Sequence, residues 1–197
     1  MESSSIIAII LFPLLVLIFG SLGAVFTAKK IPTWYKGLNK PKLNPPNWIF
    51  GPVWTILYLM IGFSGWVFWE RKLNFDGDDV AAWFFYFFQL LLNFTWTPIF
   101  FGLNYLLVAL FNIILLDICT LVNIVLFFLK SSLAGGLLIP YMLWISFATY
   151  LNFSIWYLNK DGNNNQNQNE IENGKENDNK SIEIKNEEKN ENDVNSK

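Results

Sequence analysis

The stretch Trp34–Trp69, WYKGLNKPKLNPPNWIFGPVWTILYLMIGFSGWVFW, decides how this chain folds. It opens as a Lys- and Pro-rich connector, Trp34–Asn47, and runs without a break into an uncharged aromatic segment, Trp48–Trp69. Hydrocarbon about 30 Å thick needs roughly 20 apolar residues per helical crossing, so the segment is long enough to span a bilayer. Pro41, Pro45, Pro46 and Pro52 stiffen its approach, because each fixes φ and removes a backbone donor. Pro45-Pro46 suits a helix start, where a missing N–H costs nothing. Beyond it Trp54, Tyr58, Gly62 and Gly65 or Trp66 recur at helical spacing and share one face. Large amphipathic rings beside small residues let a second helix or a flat ligand come close.

Working outward, the same reading repeats along the chain. Ile6–Ala28 is uncharged and ends at Lys29-Lys30. It lacks the positive start and short apolar core of a secretory signal and the Arg-rich amphipathic pattern of a presequence, so it reads as a retained first span, kinked at Pro13. Glu70–Asp79 is a short acid-rich loop. Val80–Leu116 then runs 37 residues without a charge, too long for one crossing, and Gly102-Leu103-Asn104 is the turn that divides it. Lys130-Ser131-Ser132 leads into the last span. The expected fold is an all-α integral membrane bundle of five transmembrane helices, at about 6–28, 48–69, 80–101, 105–129 and 133–158. Residues 1–158 form the membrane domain, and 159–197 form a polar Asn/Glu/Lys-rich tail that cannot bury enough surface to order itself.

Charge supports this layout. The net charge of −2 over 197 residues divides into +2 for residues 1–158 and −4 for the tail. Nothing resembles a basic nucleic-acid stripe. Histidine is absent and Cys119 is alone, which removes the commonest metal ligand, the usual general base and any internal disulfide. The first loop carries Lys29, Lys30, Lys36, Lys40 and Lys42 and no acid, whereas the opposite side mixes Arg71, Lys72 and Lys130 with four carboxylates. By the positive-inside rule the first loop and the C-terminus face the cytosol.

Within the spans, Gln89, Asn93 and Trp96 fall at i, i+4, i+7 on one face. Amides in hydrocarbon need partners, and these serve either as interhelical glue or as an anchor for a ligand's carbonyl or carboxylate. Trp144, Ala148, Leu151 or Asn152, and Ile155 form a stripe on the last span. Asp117 lies in mid-span four. No basic partner is visible in another span, so it reads as protonated or bonded to a nearby Thr or Asn, outside the site.

The run WYxxLxKPxxxPPxWxFxPVWTxLYxxxG, Trp34–Gly62, resembles the translocator proteins, also called tryptophan-rich sensory proteins or peripheral benzodiazepine receptors. Two further stretches agree, QLLLNFTWTPIFFG (Gln89–Gly102) and PYMLWISFATYLN (Pro140–Asn152). The resemblance implies five spans, as a homodimer, around a pocket for porphyrins (haem, protoporphyrin), sterols and benzodiazepine-type drugs, with no obligatory cofactor. It places Trp54, Trp144 and Ala148 in the pocket wall and Tyr35 in a lid. Tyr58, Gln89, Asn93, Trp96 and Leu151 complete the candidate site from the helical faces above. Connector lysines either meet propionates at the rim or are simply the positive-inside signal. The connector departs from the family's KPxWxPP, with Leu43 in the tryptophan position. The animal sterol motif is also absent in register, since Phe153 and Tyr157 stand where it needs Tyr and then a basic residue; a shifted match runs Leu151-x5-Tyr157-x2-Lys160. The implied membrane is the mitochondrial outer membrane for animal-like members and endoplasmic reticulum or Golgi for plant-like ones. A membrane receptor or transporter is the expected function. The alternatives are an enzyme degrading protoporphyrin at Trp54 and Trp144, and a stress-responsive sensor or scaffold.

Overall fold

A computed structural model describes residues 3–71 and 77–160. The predicted disordered tail therefore lies, from residue 161 on, outside the described residues. By contacts the chain divides into Met1–Tyr157 and Leu158–Lys197. The described part is helices joined by turns and the non-helical connector 38–46, with α1 (Ser3–Ser21), α2 (Ala24–Lys30), α3 (Asn47–Glu70), α4 (Gly77–Thr97), α5 (Leu106–Lys130) and α6 (Ser132–Lys160). Five helical stretches are long and apolar enough to cross a membrane, beginning with Ser5–Tyr35, which takes in α1 and α2. The chain is an integral membrane bundle of five transmembrane helices.

Two helical spans end in wide turns of the π type, Ile31–Tyr35 and Pro98–Gly102, and each carries a proline in its first two positions. A proline has no N–H for the i→i−4 bond and its ring crowds that carbonyl, and a widened turn relieves that crowding. The first span thereby stays helical through Tyr35, well past the expected end near Ala28. Pro13 does not interrupt α1. The break falls instead at Leu22-Gly23, between α1 and α2. The turn predicted at Gly102-Leu103-Asn104 is present, with Asn104 at φ 62°, a left-handed conformation that asparagine tolerates better than most residues.

Close approach, more than apolar burial, holds the helices together, because lipid tails are as apolar as the side chains they replace. A Cβ on Gly62 would run into the backbone of Pro13 and Phe12, and one on Gly20 into the Tyr58 ring, so α1 lies directly on α3. Gly65 leaves room for the Tyr86 hydroxyl, which donates to the Ile61 carbonyl at 3.0 Å. Ser64 donates to the Ala134 carbonyl at 2.7 Å and ties α3 to α6. The half of the bundle toward the second loop is filled by rings, with Phe127 stacked between Phe68 (4.1 Å) and Tyr86 (5.7 Å). The Arg71 guanidinium covers the Phe68 ring at 3.9 Å and pairs with Asp79 at 2.6 Å. That end is plugged.

Gly62→Val should lose about 1–3 kcal/mol by overpacking against α1. Gly51→Ala, at an exposed helical position with nothing within 4 Å of its Cβ among the described residues, should gain up to about 1 kcal/mol of helix propensity. Thermal denaturation of both variants in the same detergent checks the contrast.

Candidate functional site

The half of the bundle nearer the first loop is hollow. A cavity of about 310 Å³ lies there, lined from α1, α2, both wide turns, α3, α4, α5 and α6. Its two floor residues, Tyr58 and Asn93, belong to a chain of bonds crossing three helices. The Tyr58 hydroxyl donates to Asn93 Oδ1 at 3.1 Å, and Asn93 Nδ2 donates to the Tyr141 hydroxyl at 2.9 Å. One turn along α4, Trp96 Nε1 donates to Asn152 Oδ1 at 3.0 Å, while Asn152 Nδ2 donates to the Leu106 carbonyl at 2.9 Å. These bonds give the buried lining amides Asn93 and Asn152 their partners within the protein.

Aromatic faces form the walls. Trp54 stacks on Tyr58 (5.3 Å, 27° between planes) and meets Trp144 edge to face (6.5 Å, 88°). Across the cavity Trp96 stacks on Phe100 at 5.0 Å. The wide turns matter here: one delivers Tyr35 and the other Phe100 and Phe101, and these rings pack on each other at 4.8–6.3 Å. At the aqueous end the connector is held down on Tyr35. Its hydroxyl donates to Asn44 Oδ1 at 3.0 Å, and the Lys40 ammonium sits 4.6 Å over its ring while donating to the Leu38 carbonyl at 3.0 Å. Partial burial there pushes the Lys40 ammonium below its ordinary pKa.

Eight of the nine residues picked from the sequence line this cavity: Tyr35, Trp54, Tyr58, Asn93, Trp96, Trp144, Ala148 and Leu151. Gln89 does not. It is fully buried one turn below Asn93, and its Oε1 accepts from Thr120 at 3.4 Å between α4 and α5. Asp117 accepts from Thr149 at 2.7 Å and ties α5 to α6, outside the lining, in the manner expected for an acid with no basic partner. The lining also includes residues that the sequence reading passed over: Phe50, Phe100, Phe101 and a row of small residues on the first span, Gly20, Gly23 and Ala24. Spacing at i, i+3, i+4 was the available signal for that row. Among the cavity's lining side chains, one buried donor has no partner. The Trp144 indole N–H is buried without a hydrogen-bond partner, a donor in reserve in a wall of rings. No group of three metal-ligating side chains occurs among the described residues.

Residues 10–158 match the TspO/MBR family. The chain belongs to that family. It is 46% identical to the tryptophan-rich protein TspO of Archaeoglobus fulgidus over 74% of this chain and 93% of the relative. It is 38% identical to the human translocator protein (62% of this chain, 73% of the relative) and 36% identical to the tryptophan-rich sensory protein of Cereibacter sphaeroides (64% and 77%). Membership in this family supports a membrane receptor or sensor role for this multi-pass protein.

Asn152 joins α4, α5 and α6 at the cavity wall, so Asn152→Leu should cost about 1–2 kcal/mol, two interhelical bonds at roughly 0.6 kcal/mol each plus the orphaned Trp96 donor. Reversible unfolding in mixed micelles measures it; a loss confined to experimental error would mean the two bonds contribute nothing.

Proposed function

We propose that the cavity binds porphyrins, haem and protoporphyrin among them, together with other flat hydrophobic ligands such as sterols or benzodiazepine-type drugs, and that the protein works as a receptor or transporter for them. The observation that carries this reading is the Trp54–Trp144 corner, two indoles at right angles with a spare N–H at Trp144. Rings present stacking faces to a flat π-system, and the N–H supplies one directed bond to a carbonyl or carboxylate. The cavity is at the lower end of the range for ligand pockets, roughly 300–1,000 Å³. A sterol or drug is thus accommodated more readily than a whole macrocycle, which must stand partly outside, with its propionates toward the first-loop lysines. Binding proceeds without axial ligation by imidazole, since the chain has no histidine. The protein acts as a homodimer in the mitochondrial outer membrane, with the first loop and the C-terminus in the cytosol.

The titration that tests binding uses protoporphyrin IX in the dark with purified protein, read by quenching of tryptophan fluorescence. Trp144→Phe keeps the ring and loses the N–H, and should weaken binding by about 0.5–1.5 kcal/mol. Trp144→Leu should cost more, because stacking goes as well. If Trp144→Phe instead leaves the dissociation constant unchanged and abolishes a light-independent loss of porphyrin, the protein is a porphyrin-degrading enzyme.

Orientation is tested separately. In intact organelles carrying the Cys119→Ser chain, a cysteine at Lys36 should react with a membrane-impermeant maleimide added from the cytosol, and one at Asp78 should not. The reverse pattern overturns the lysine argument.

A further inference from the structure

The connector covers the cavity at its first-loop end, and one flank of the cavity reaches the surface between α2 and α3. Toward water, the connector is latched through Asn44 and Lys40 onto Tyr35. On one flank, Ser21, Ala24, Asn47, Gly51 and Thr55 all line the cavity and are also exposed. They come from two sides of a seam. Asn47, Gly51 and Thr55 stand at i, i+4, i+8 along one face of α3, with Ser21 and Ala24 belonging to the first span.

The break at Leu22-Gly23 explains the seam. Below it α1 lies tight on α3, with Gly20 against Tyr58. Above it α2 leaves α3 and packs on α4 and the Pro98–Gly102 turn. Apart from its chain neighbours and its own helix backbone, no atom among the described residues stands within 4 Å of a Cβ built on Gly51. From Asn47 to Thr55 the gap covers about 12 Å of helix, a depth that reaches from the interface into hydrocarbon. Its edges suit that environment. The Thr55 hydroxyl is spent on the Gly51 carbonyl (3.0 Å) and the Thr27 hydroxyl on the Ala24 carbonyl (2.9 Å), so neither offers lipid an unmade bond.

We propose that the seam between α2 and the first half of α3 is a lateral portal, through which flat apolar ligands already dissolved in the bilayer slide edge-on into the cavity. The portal rests on the binding reading above, and it adds the route and the phase from which the ligand comes. Small side chains at Ala24 and Gly51 set its width, so thickness rather than length is what it selects.

The test uses the full chain in phospholipid nanodiscs. Gly51→Trp puts a ring into the gap. Association and dissociation rates of protoporphyrin IX, followed by stopped-flow quenching, should both fall at least tenfold. Leu43→Trp, on the connector and away from the cavity lining, should leave both within twofold. Unchanged rates in Gly51→Trp, or a faster dissociation, overturn the portal: the first means another route, the second a contact in the bound state. A second measurement does not depend on porphyrin. In the Cys119→Ser chain, a nitroxide on a cysteine at Thr55 should be relaxed by bilayer-dissolved oxygen and little by a water-soluble nickel chelate. The opposite ratio, or shielding from both by a second copy covering the seam, removes the portal. If the parent chain shows no saturable porphyrin quenching while the nitroxide is oxygen-accessible, the porphyrin reading fails and the lipid-facing opening stands.

Discussion

Hydrocarbon offers no hydrogen-bond partner, and the arrangement of this bundle follows from that constraint. Every amide placed in mid-span must find its partner on a neighbouring helix, which converts a costly residue into a positional instruction. Asn93 fixes α4 against α3 and α6 through two tyrosines, and Asn152 fixes α6 against α4 and α5 through an indole and a backbone carbonyl. Asn123 does the same between α5 and α4 by donating to the Ala82 carbonyl at 3.0 Å. Because burial of apolar surface gives little drive between helices in lipid, these bonds and the glycine contacts of α1 carry the specificity of packing.

A membrane bundle knitted this way need not be solid. Toward the second loop, Phe68, Tyr86 and Phe127 fill the interior, and the Arg71–Asp79 pair seals it. Toward the first loop the same kind of rings stand around a void instead. The difference is backbone geometry. Pro32 and Pro98 each widen a terminal turn, and the break at Leu22-Gly23 turns α2 away from α3. Three departures from ideal helix, all at one end, leave the volume that a regular five-helix bundle would close.

Much of this was legible in the chain itself. Uncharged runs divided by lysines and a Gly-Leu-Asn turn gave five spans, because the thickness of hydrocarbon fixes the length of each. Helical spacing brought Asn93 with Trp96, and Trp144 with Ala148, to the same cavity. Gln89 shares that helical face yet lies below the cavity, since periodicity fixes the direction of a side chain and says nothing of where along the helix the void ends. The sequence places a bend at Pro13; α1 runs through that residue without a break, and the break comes nine residues on, at a Leu-Gly pair. The widened turns were equally invisible, because a proline near a helix end can start, stop or widen it, and only tertiary packing chooses.

The two aspects of the cavity follow from where its parts come from. Its inner walls, on α4, α5 and α6, are cross-linked by side-chain bonds and fixed in place. Its outer wall is α2 with the wide turn at Ile31–Tyr35, packed on α4 and the Pro98–Gly102 turn through Phe26, Trp34 and Tyr35. Ring contacts of this kind depend less on direction than the amide bonds opposite them, so they resist sliding less. Under the proposed lateral portal, a ligand that needs more room than about 310 Å³ would find the yielding side at the seam between α2 and α3. The rigid side is the one that holds Trp144 and Asn93 in position. Under the proposed binding function, recognition and access fall to opposite walls, and a substitution that loosens one need not disturb the other.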